Sequence, residues 1–211
     1  MKLIIVSLLF ICSSFLKSSP APDSHSPLSA YSDVWNEPRF LKCNTAEKAD
    51  YLSAQEKELI YILNMLRMDP VLFNKTVVRK YPDQTGEVRL FNVAEYKSLL
   101  DTMQLIGPLP LLYPDQFCAA SAKCHAMQSG RTGYVGHDRK TADCKKNMYF
   151  DGECCDYGRE TPLDILMGLL IDEGVESLGH RWICLSDYHK IGLSIQPHKT
   201  YRMNTVIDFK Y

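Results

Sequence analysis

The stretch "IGLSIQPHKTYRMNTVIDF", residues 191–209, is the clearest indication of the fold class. Two runs rich in apolar and β-branched residues, 191–195 and 204–209, flank a polar connection that contains a proline. Short runs of this composition on either side of a turn are typical of an antiparallel hairpin. Helical patterns come before the hairpin and strands close the chain, so we predict an α+β fold rather than a parallel α/β sheet.

The clearest helical pattern begins at Ser53. Ser53 and Glu56 form the S-x-x-E capping box that starts many helices. Apolar side chains then recur at helical spacing, at Leu59, Ile62, Leu63 and Leu66. Asp69 and Pro70 end the pattern, because a residue before proline disfavours helical backbone angles. We predict one folded domain over residues 53–211.

Three further segments have helical composition. Residues 70–80 and 93–103 are the weaker two, and "YPDQTGE" between them has the composition of a turn. A core helix is expected from Pro114, which suits a first turn, to Gly130, which ends it. The small side chains within this segment favour close packing against the rest of the domain.

Another helix begins with Thr161 as N-cap and ends before Gly174. Ser177 is then expected to cap a short helix with His180 in its first turn. The positive end of a helix dipole lowers imidazole basicity there and favours the neutral form that binds metals. The alternative is a histidine that only satisfies a backbone carbonyl.

The first 19 residues are typical of a secretory signal peptide. Met1 and Lys2 precede an apolar run, and small or polar residues follow it. A membrane anchor is less favoured because Lys17 interrupts the apolar run well short of about 20 residues. Lipidation at Cys12 is a further, less favoured alternative. Residues 20–52 lack apolar periodicity and are expected to form a linker or an irregular N-terminal arm.

Composition excludes several classes of function. A length of 211 residues suits one domain, and a net charge of -1 argues against a nucleic-acid partner. No transmembrane segment is expected after the signal peptide. The sequence also lacks the G-x-S-x-G, H-E-x-x-H and phosphate-loop motifs.

Eight cysteines in an exported chain favour disulfides over reactive thiols. Cleavage of the leader leaves seven, so at least one is free or bonds another molecule. Cys154 and Cys155 are adjacent, a geometry unsuited to bonding each other, and Cys144 is the nearest partner in sequence. Either member of the adjacent pair is alternatively a soft metal ligand or a reactive thiol.

The candidate site residues come with two Gly-His steps, "YVGHDR" with His137 and "SLGHR" with His180. Together with the flanking motifs they resemble the CAP superfamily of cysteine-rich secretory, antigen 5 and pathogenesis-related proteins, in its bacterial SCP-domain form. The motifs that carry the resemblance are "LNMLRMDP", "PLPLLYPDQFCAASAKCHAMQSG", "GH", "GE", "LIDEG" before "GHR", and "IGLSI". The resemblance implies a three-layer α-β-α sandwich with a small antiparallel sheet.

The resemblance also implies a cleft lined by His137, Glu153, Glu173 and His180, in which the two histidines hold Zn²⁺ or another divalent cation. Asp172 or Glu176 is the alternative to Glu173 as the cleft acid. Two departures from the family pattern put metal affinity in doubt. Cys154 stands where the family has Asn, and Asp138 stands where it has Ser or Thr.

Three functions fit these residues. The first is a secreted or cell-surface binding module for a lipid-like or sterol-like ligand or an extracellular protein partner, because the sequence offers no activated nucleophile. The second is a metal-assisted extracellular hydrolase of protease type, with Glu153 or Glu173 activating water. The third is a structural surface-interaction protein in which the four residues only fasten loops.

Overall fold

The computed structural model describes residues 25–211, so the expected signal peptide and Cys12 lie outside the described residues. The fold is α+β, as predicted. The helices are α1 (Ala54–Met68), α2 (Pro70–Phe73), α3 (Tyr81–Thr85), α4 (Ala94–Leu105), α5 (Gln116–Thr132), α6 (Ala142–Lys146), α7 (Pro162–Ile171) and α8 (Gly179–Cys184). The strands are β1 (Tyr113–Pro114), β2 (Gly152–Tyr157), β3 (Lys190–His198) and β4 (Arg202–Lys210).

The four strands form one sheet in the order β1-β3-β4-β2. The predicted hairpin is confirmed as the antiparallel pair β3 and β4. β2 extends it antiparallel to β4, whereas the short β1 runs parallel to β3, so the sheet is mostly antiparallel rather than wholly so. Glu153 on β2 is directly opposite Asp208 on β4. Paired residues point to the same face of a sheet, which brings these two carboxyl groups together.

Helices cover both faces of the sheet and give the three-layer sandwich. α5 lies against β3 and β4 on one face, and α1, α7 and α8 contact β2 and β3 from the other. The approach of α5 is close: a Cβ at Gly192 would lie 2.0 Å from the backbone nitrogen of Ala119. Side chains alternate along β2, so Cys154 faces the large core under α1 and α7 while Cys155 faces α5.

The predicted capping signals form as expected. Ser53 Oγ accepts from Glu56 N at 3.3 Å, and a Glu56 carboxylate oxygen accepts from Ser53 N at 2.7 Å. The other Glu56 oxygen accepts from Ile195 N on β3 at 2.9 Å, which ties α1 to the sheet. Thr161 caps α7 through Asp164 N at 3.2 Å.

Three sequence expectations are corrected. The "YPDQTGE" segment contains the short helix α3, which ends at Gly86 in the left-handed conformation (φ 77°). α5 begins at Gln116 after the N-cap Asp115, so Pro114 lies in β1 and not in the first helical turn, and α5 continues past Gly130 to Thr132. Gly130 is instead a point of close approach, because a Cβ there would lie 2.1 Å from the carbonyl oxygen of Pro197.

The folded core begins earlier in the chain than Ser53. Short 3₁₀ turns at Asp33–Asn36 and Pro38–Cys43 interrupt otherwise irregular backbone. Trp35 and Phe40 in these turns are buried in the same core as the helices. Residues 25–52 are thus an irregular arm that packs on the domain and contributes to its core.

One disulfide joins Cys124 on α5 to Cys144 on α6. Cys144 is therefore not bonded to Cys154 or Cys155, and the pairing expected from their closeness in sequence is wrong. Within residues 25–211 the remaining cysteines are free and buried: Cys43, Cys118, Cys154, Cys155 and Cys184. None of the helices among these residues combines the length and apolar composition needed to cross a bilayer.

Candidate functional site

His137 and Glu153 form the first of two histidine-carboxylate pairs. His137 lies in the loop after α5, and its Nδ1 is 2.8 Å from Glu153 Oε1 on β2. The imidazole is 54% exposed and the carboxylate only 3%, so the sheet holds the acid while the ring faces outward. Burial favours the neutral acid, but hydrogen bonds from His137 and Arg139 outweigh it and lower the pKa of Glu153. The hydrogen bond to this carboxylate raises the pKa of His137.

His180 and Asp172 form the second pair. Asp172 follows α7 in the left-handed conformation (φ 56°), a rare state that short polar residues tolerate. Its two oxygens accept from His180 Nδ1 at 2.7 Å and from the His180 backbone nitrogen at 2.9 Å. Asp172, and not the predicted Ser177, therefore supplies the side-chain contact at the start of α8. That contact offsets the unfavourable place of an acid at the end of α7.

The two pairs meet at their rings. The imidazole centroids of His137 and His180 are 5.8 Å apart, with 29° between the ring planes. Because each Nδ1 is bound to a carboxylate, Nε2 is the nitrogen that each ring has available for a ligand. We call the four residues His137, Glu153, Asp172 and His180 the cleft.

Glu173, the acid first chosen from the sequence, lies outside the cleft. Both of its oxygens accept from Arg89, at 2.8 and 2.9 Å, and it lines a separate groove of about 560 Å³. Glu176 is exposed. Asp172 takes the acidic place because the left-handed turn after α7 points its carboxylate back to the start of α8. The sequence signal for this role is the position of Asp172 directly after the last helical residue.

A buried charge network lies behind the first pair. The Arg139 guanidinium, whose side chain is 1% exposed, contacts Glu153 directly and approaches Asp208 to 3.6 Å. It also donates to the carbonyl oxygen of His137 at 3.0 Å. Burial and the neighbouring charge of Glu153 raise the pKa of Asp208, so this acid keeps its proton at neutral pH. Neither Arg139 nor Asp208 lies in a sequence motif that indicates this role.

A second set of potential ligands lies beside this network. His125 of α5, Glu153 and Cys155 are all buried, and each offers one ligand atom within 4.8 Å of the other two. Cys155 Sγ is also 3.6 Å from His137 Nδ1. The group could hold a metal ion. Sequence reasoning missed His125 because it sits among small residues in a segment with the pattern of a core helix.

The two departures from the family pattern have separate consequences. Cys154 points away from the cleft into the large core, where its thiol donates to the carbonyl oxygen of His180 at 3.6 Å. Asp138 is on the surface beside His137 and pairs with Lys140 at 2.8 Å. Among residues 25–211, neither side chain hydrogen-bonds a ring nitrogen of His137 or His180.

A depression of about 640 Å³ lies beside His137, and none of Glu153, Asp172 and His180 lines it. Its lining is mostly charged: His137, Asp138, Arg139, Lys140, Lys145 and Met148. Arg139 is buried against Glu153 and Lys140 pairs with Asp138, so among residues 25–211 Lys145 is the cation of this lining that has no ion pair. Met148 is the one apolar member of the set.

Comparison with known proteins gives no family assignment. No protein-family model matches this chain, and no curated protein matches it in sequence. Among solved structures, an outer surface protein from Borrelia burgdorferi matches 61% of this chain and 94% of its own length. The TM-score is 0.38 and the sequence identity 17%, a likeness too weak to establish fold or function.

Proposed function

We propose that this chain is an exported binding protein of the CAP type, in which His137 and His180 of the cleft bind one divalent cation. The observation that carries the proposal is the pairing of each histidine with its own carboxylate, at 2.8 and 2.7 Å. A carboxylate bound to one ring nitrogen orients the imidazole and raises the basicity of the other nitrogen, as in many zinc sites. Zn²⁺ is the ion that best suits two imidazoles.

Binding is better supported than hydrolysis. A catalytic zinc site has three protein ligands and a nearby base. In this cleft Glu153 is held by His137 and Arg139, and its lowered pKa makes it a weak base. Asp172 is likewise occupied by His180. The bound ion would therefore serve as an anchoring point for a ligand.

The chemistry of the depression favours an acidic protein partner over a sterol or lipid. Pockets for small apolar ligands are lined mostly by apolar and aromatic side chains. Here the exposed side chains beside His137 include Lys140 and Lys145, whereas Arg139 is buried against Glu153. A cation on the two histidines would add further positive charge, which suits a carboxylate on an extracellular protein. The proposal of export rests on the signal-like leader.

Metal titration of the mature chain tests the cleft. We expect His180→Ala to remove one bound Zn²⁺ per chain in a calorimetric titration. Glu173→Gln is the matched control, since Glu173 contacts Arg89 instead of the cleft, and it should bind as the wild type does. Equal zinc stoichiometry and affinity in all three proteins would overturn the proposed function.

The same preparations separate binding from hydrolysis. We expect no peptide or ester turnover with zinc bound. Zinc-dependent turnover that Glu153→Gln abolishes would replace the binding proposal with the hydrolase. If His137→Ala lowers stability while zinc binding is unchanged, the histidines only fasten loops.

A further inference from the structure

His125 carries a buried ring nitrogen with no partner. The side chain is fully buried on α5, and its Nε2 lies 2.8 Å from the carbonyl oxygen of Gly136. A carbonyl oxygen only accepts, so Nε2 holds the proton and Nδ1 keeps a free lone pair. No hydrogen-bond donor among residues 25–211 meets Nδ1. A buried polar atom left without a partner is destabilising, and its presence calls for an explanation.

The strand alternation of β2 brings two more ligand side chains to His125. Glu153 and Cys155 are two residues apart, so both side chains leave the sheet on the face that α5 covers. The His125 imidazole, the Cys155 thiol and the Glu153 carboxylate each offer one ligand atom, and these three atoms lie within 4.8 Å of one another. Cys154, between them, points to the opposite face.

We propose that His125, Glu153 and Cys155 bind a thiophilic divalent cation of the Zn²⁺ class, at a site behind the cleft that shares Glu153 with it. Imidazole, thiolate and carboxylate are the three side-chain ligands that zinc uses in proteins. On binding, the Cys155 thiol gives its proton to solvent and its sulfur bonds the metal. The ligand atoms then draw closer than 4.8 Å, because zinc bonds of about 2.0–2.3 Å in a tetrahedron set shorter ligand separations.

The charges around the site can balance such an ion. A thiolate and the Glu153 carboxylate contribute two negative charges against the two positive charges of the metal. Arg139, which contacts Glu153, leaves a single positive charge on the metal-bound group.

The site differs from the cleft in its chemistry. The cleft offers two imidazole nitrogens at the surface, whereas the buried site includes a thiolate, which selects zinc, cadmium or cobalt over magnesium and calcium. Glu153 belongs to both, since one oxygen orients His137 at 2.8 Å. The buried site does not depend on His180, so the two proposals can fail separately.

Cobalt absorption tests the buried site directly. The mature chain is stripped of metal with a chelator and titrated with Co²⁺. We expect a thiolate-to-cobalt charge-transfer band in the near ultraviolet that saturates at one ion per chain. Cys155→Ser should abolish the band and weaken zinc binding at this site at least tenfold in chelator competition. Cys118→Ser is the matched control. It removes a different buried free thiol, on α5, and should keep the band.

His180→Ala distinguishes the two sites. The band should persist in this variant while the cleft ion is lost. If Cys155→Ser fails to fold, cadmium NMR of the wild-type protein gives the same answer, because sulfur coordination produces a characteristic downfield shift. Cobalt or cadmium bound without a sulfur signature, or a band that survives Cys155→Ser, would overturn the inference.

Discussion

Asp172 holds His180 at two points, with one oxygen 2.7 Å from Nδ1 and the other 2.9 Å from the backbone nitrogen. One carboxylate thus orients the imidazole and satisfies a free N–H in the first turn of α8. The orientation of the ring and the start of the helix are therefore linked. A change at Asp172 should affect stability and metal binding together.

We expect Asp172→Ala to lower the free energy of unfolding by about 1–2 kcal/mol, the usual cost of losing a cap and a buried hydrogen bond. The zinc affinity of the cleft should fall roughly tenfold or more, as when other carboxylates that orient metal-binding histidines are removed. Asp172→Asn should be intermediate, because Asn tolerates the left-handed conformation and still offers one acceptor. Urea denaturation and calorimetric titration measure the two effects.

Glu173→Ala is the control for this series. It removes an exposed ion pair with Arg89, and such pairs contribute about 0–1 kcal/mol. The two neighbouring acids should therefore behave differently in both assays. Identical behaviour of Asp172→Ala and Glu173→Ala would contradict the assignment of Asp172 to the cleft.

The disulfide between Cys124 and Cys144 should contribute measurably to stability. It closes a loop of 20 residues and anchors α6 to α5. The chain-entropy argument gives about 3 kcal/mol for a loop of this size. We expect the double variant Cys124→Ser with Cys144→Ser to lose that amount in urea denaturation, whereas wild-type and variant proteins should match after reduction of the bond. No difference under oxidising conditions would contradict the pairing.

The sequence predicted those features that depend on neighbouring residues. The capping box at Ser53 and the start of α7 at Thr161 are local contacts, and both form as expected. The β3-β4 hairpin also follows from local alternation and turn composition. Such signals are contained within a few residues, which is why single-sequence reasoning can find them.

The parts that the sequence did not predict depend on contacts between distant segments. β2 carries Glu153 and Cys155 but pairs with β4, about 50 residues away, and its six residues show no alternation of apolar and polar types. Arg139, in the loop after α5, likewise approaches Asp208 on β4 from a distant part of the chain. Asp172 rather than Glu173 contacts His180, and the left-handed backbone conformation of Asp172 allows this contact. Composition does not reveal such a conformation. Strand register and turn geometry, more than any sequence motif, therefore determine which side chains come together in the site.

The free cysteines should be unreactive in the folded protein. All five among residues 25–211 are buried, and burial raises the pKa of Cys43 to about 11 and of Cys118 to about 12. The thiolate is the reactive form, so both access and ionisation are unfavourable. For the mature chain, a thiol reagent at neutral pH should label almost nothing until denaturant is added, when five groups should react. Rapid labelling of one cysteine in the native protein would contradict this expectation.

The proton kept by Asp208 should make stability depend on pH. Burial and the charge of Glu153 raise the pKa of Asp208 in the folded protein, whereas the unfolded chain ionises this acid near pH ~4. Between that pH and the raised pKa the native state binds more protons than the unfolded state. Stability should therefore fall as pH rises through the neutral range, by up to about 1.4 kcal/mol per pH unit.

Asp208→Asn tests this directly, because the amide has the shape of the neutral acid and does not titrate. We expect a flatter stability profile between about pH 5 and 8, measured by urea denaturation with a chelator present so that no metal contributes. Asp151→Asn is the control: its exposed carboxylate pairs with Lys210, which lowers the pKa of Asp151, so its stabilising effect is lost only in acid. Glu153, whose pKa is also lowered, acts in that same acidic range. If the free energy of unfolding of wild type and of Asp208→Asn has the same slope against pH above about pH 5, Asp208 is ionised in the folded protein. Arg139 would then be the single cation that faces the two carboxylates, Glu153 and Asp208.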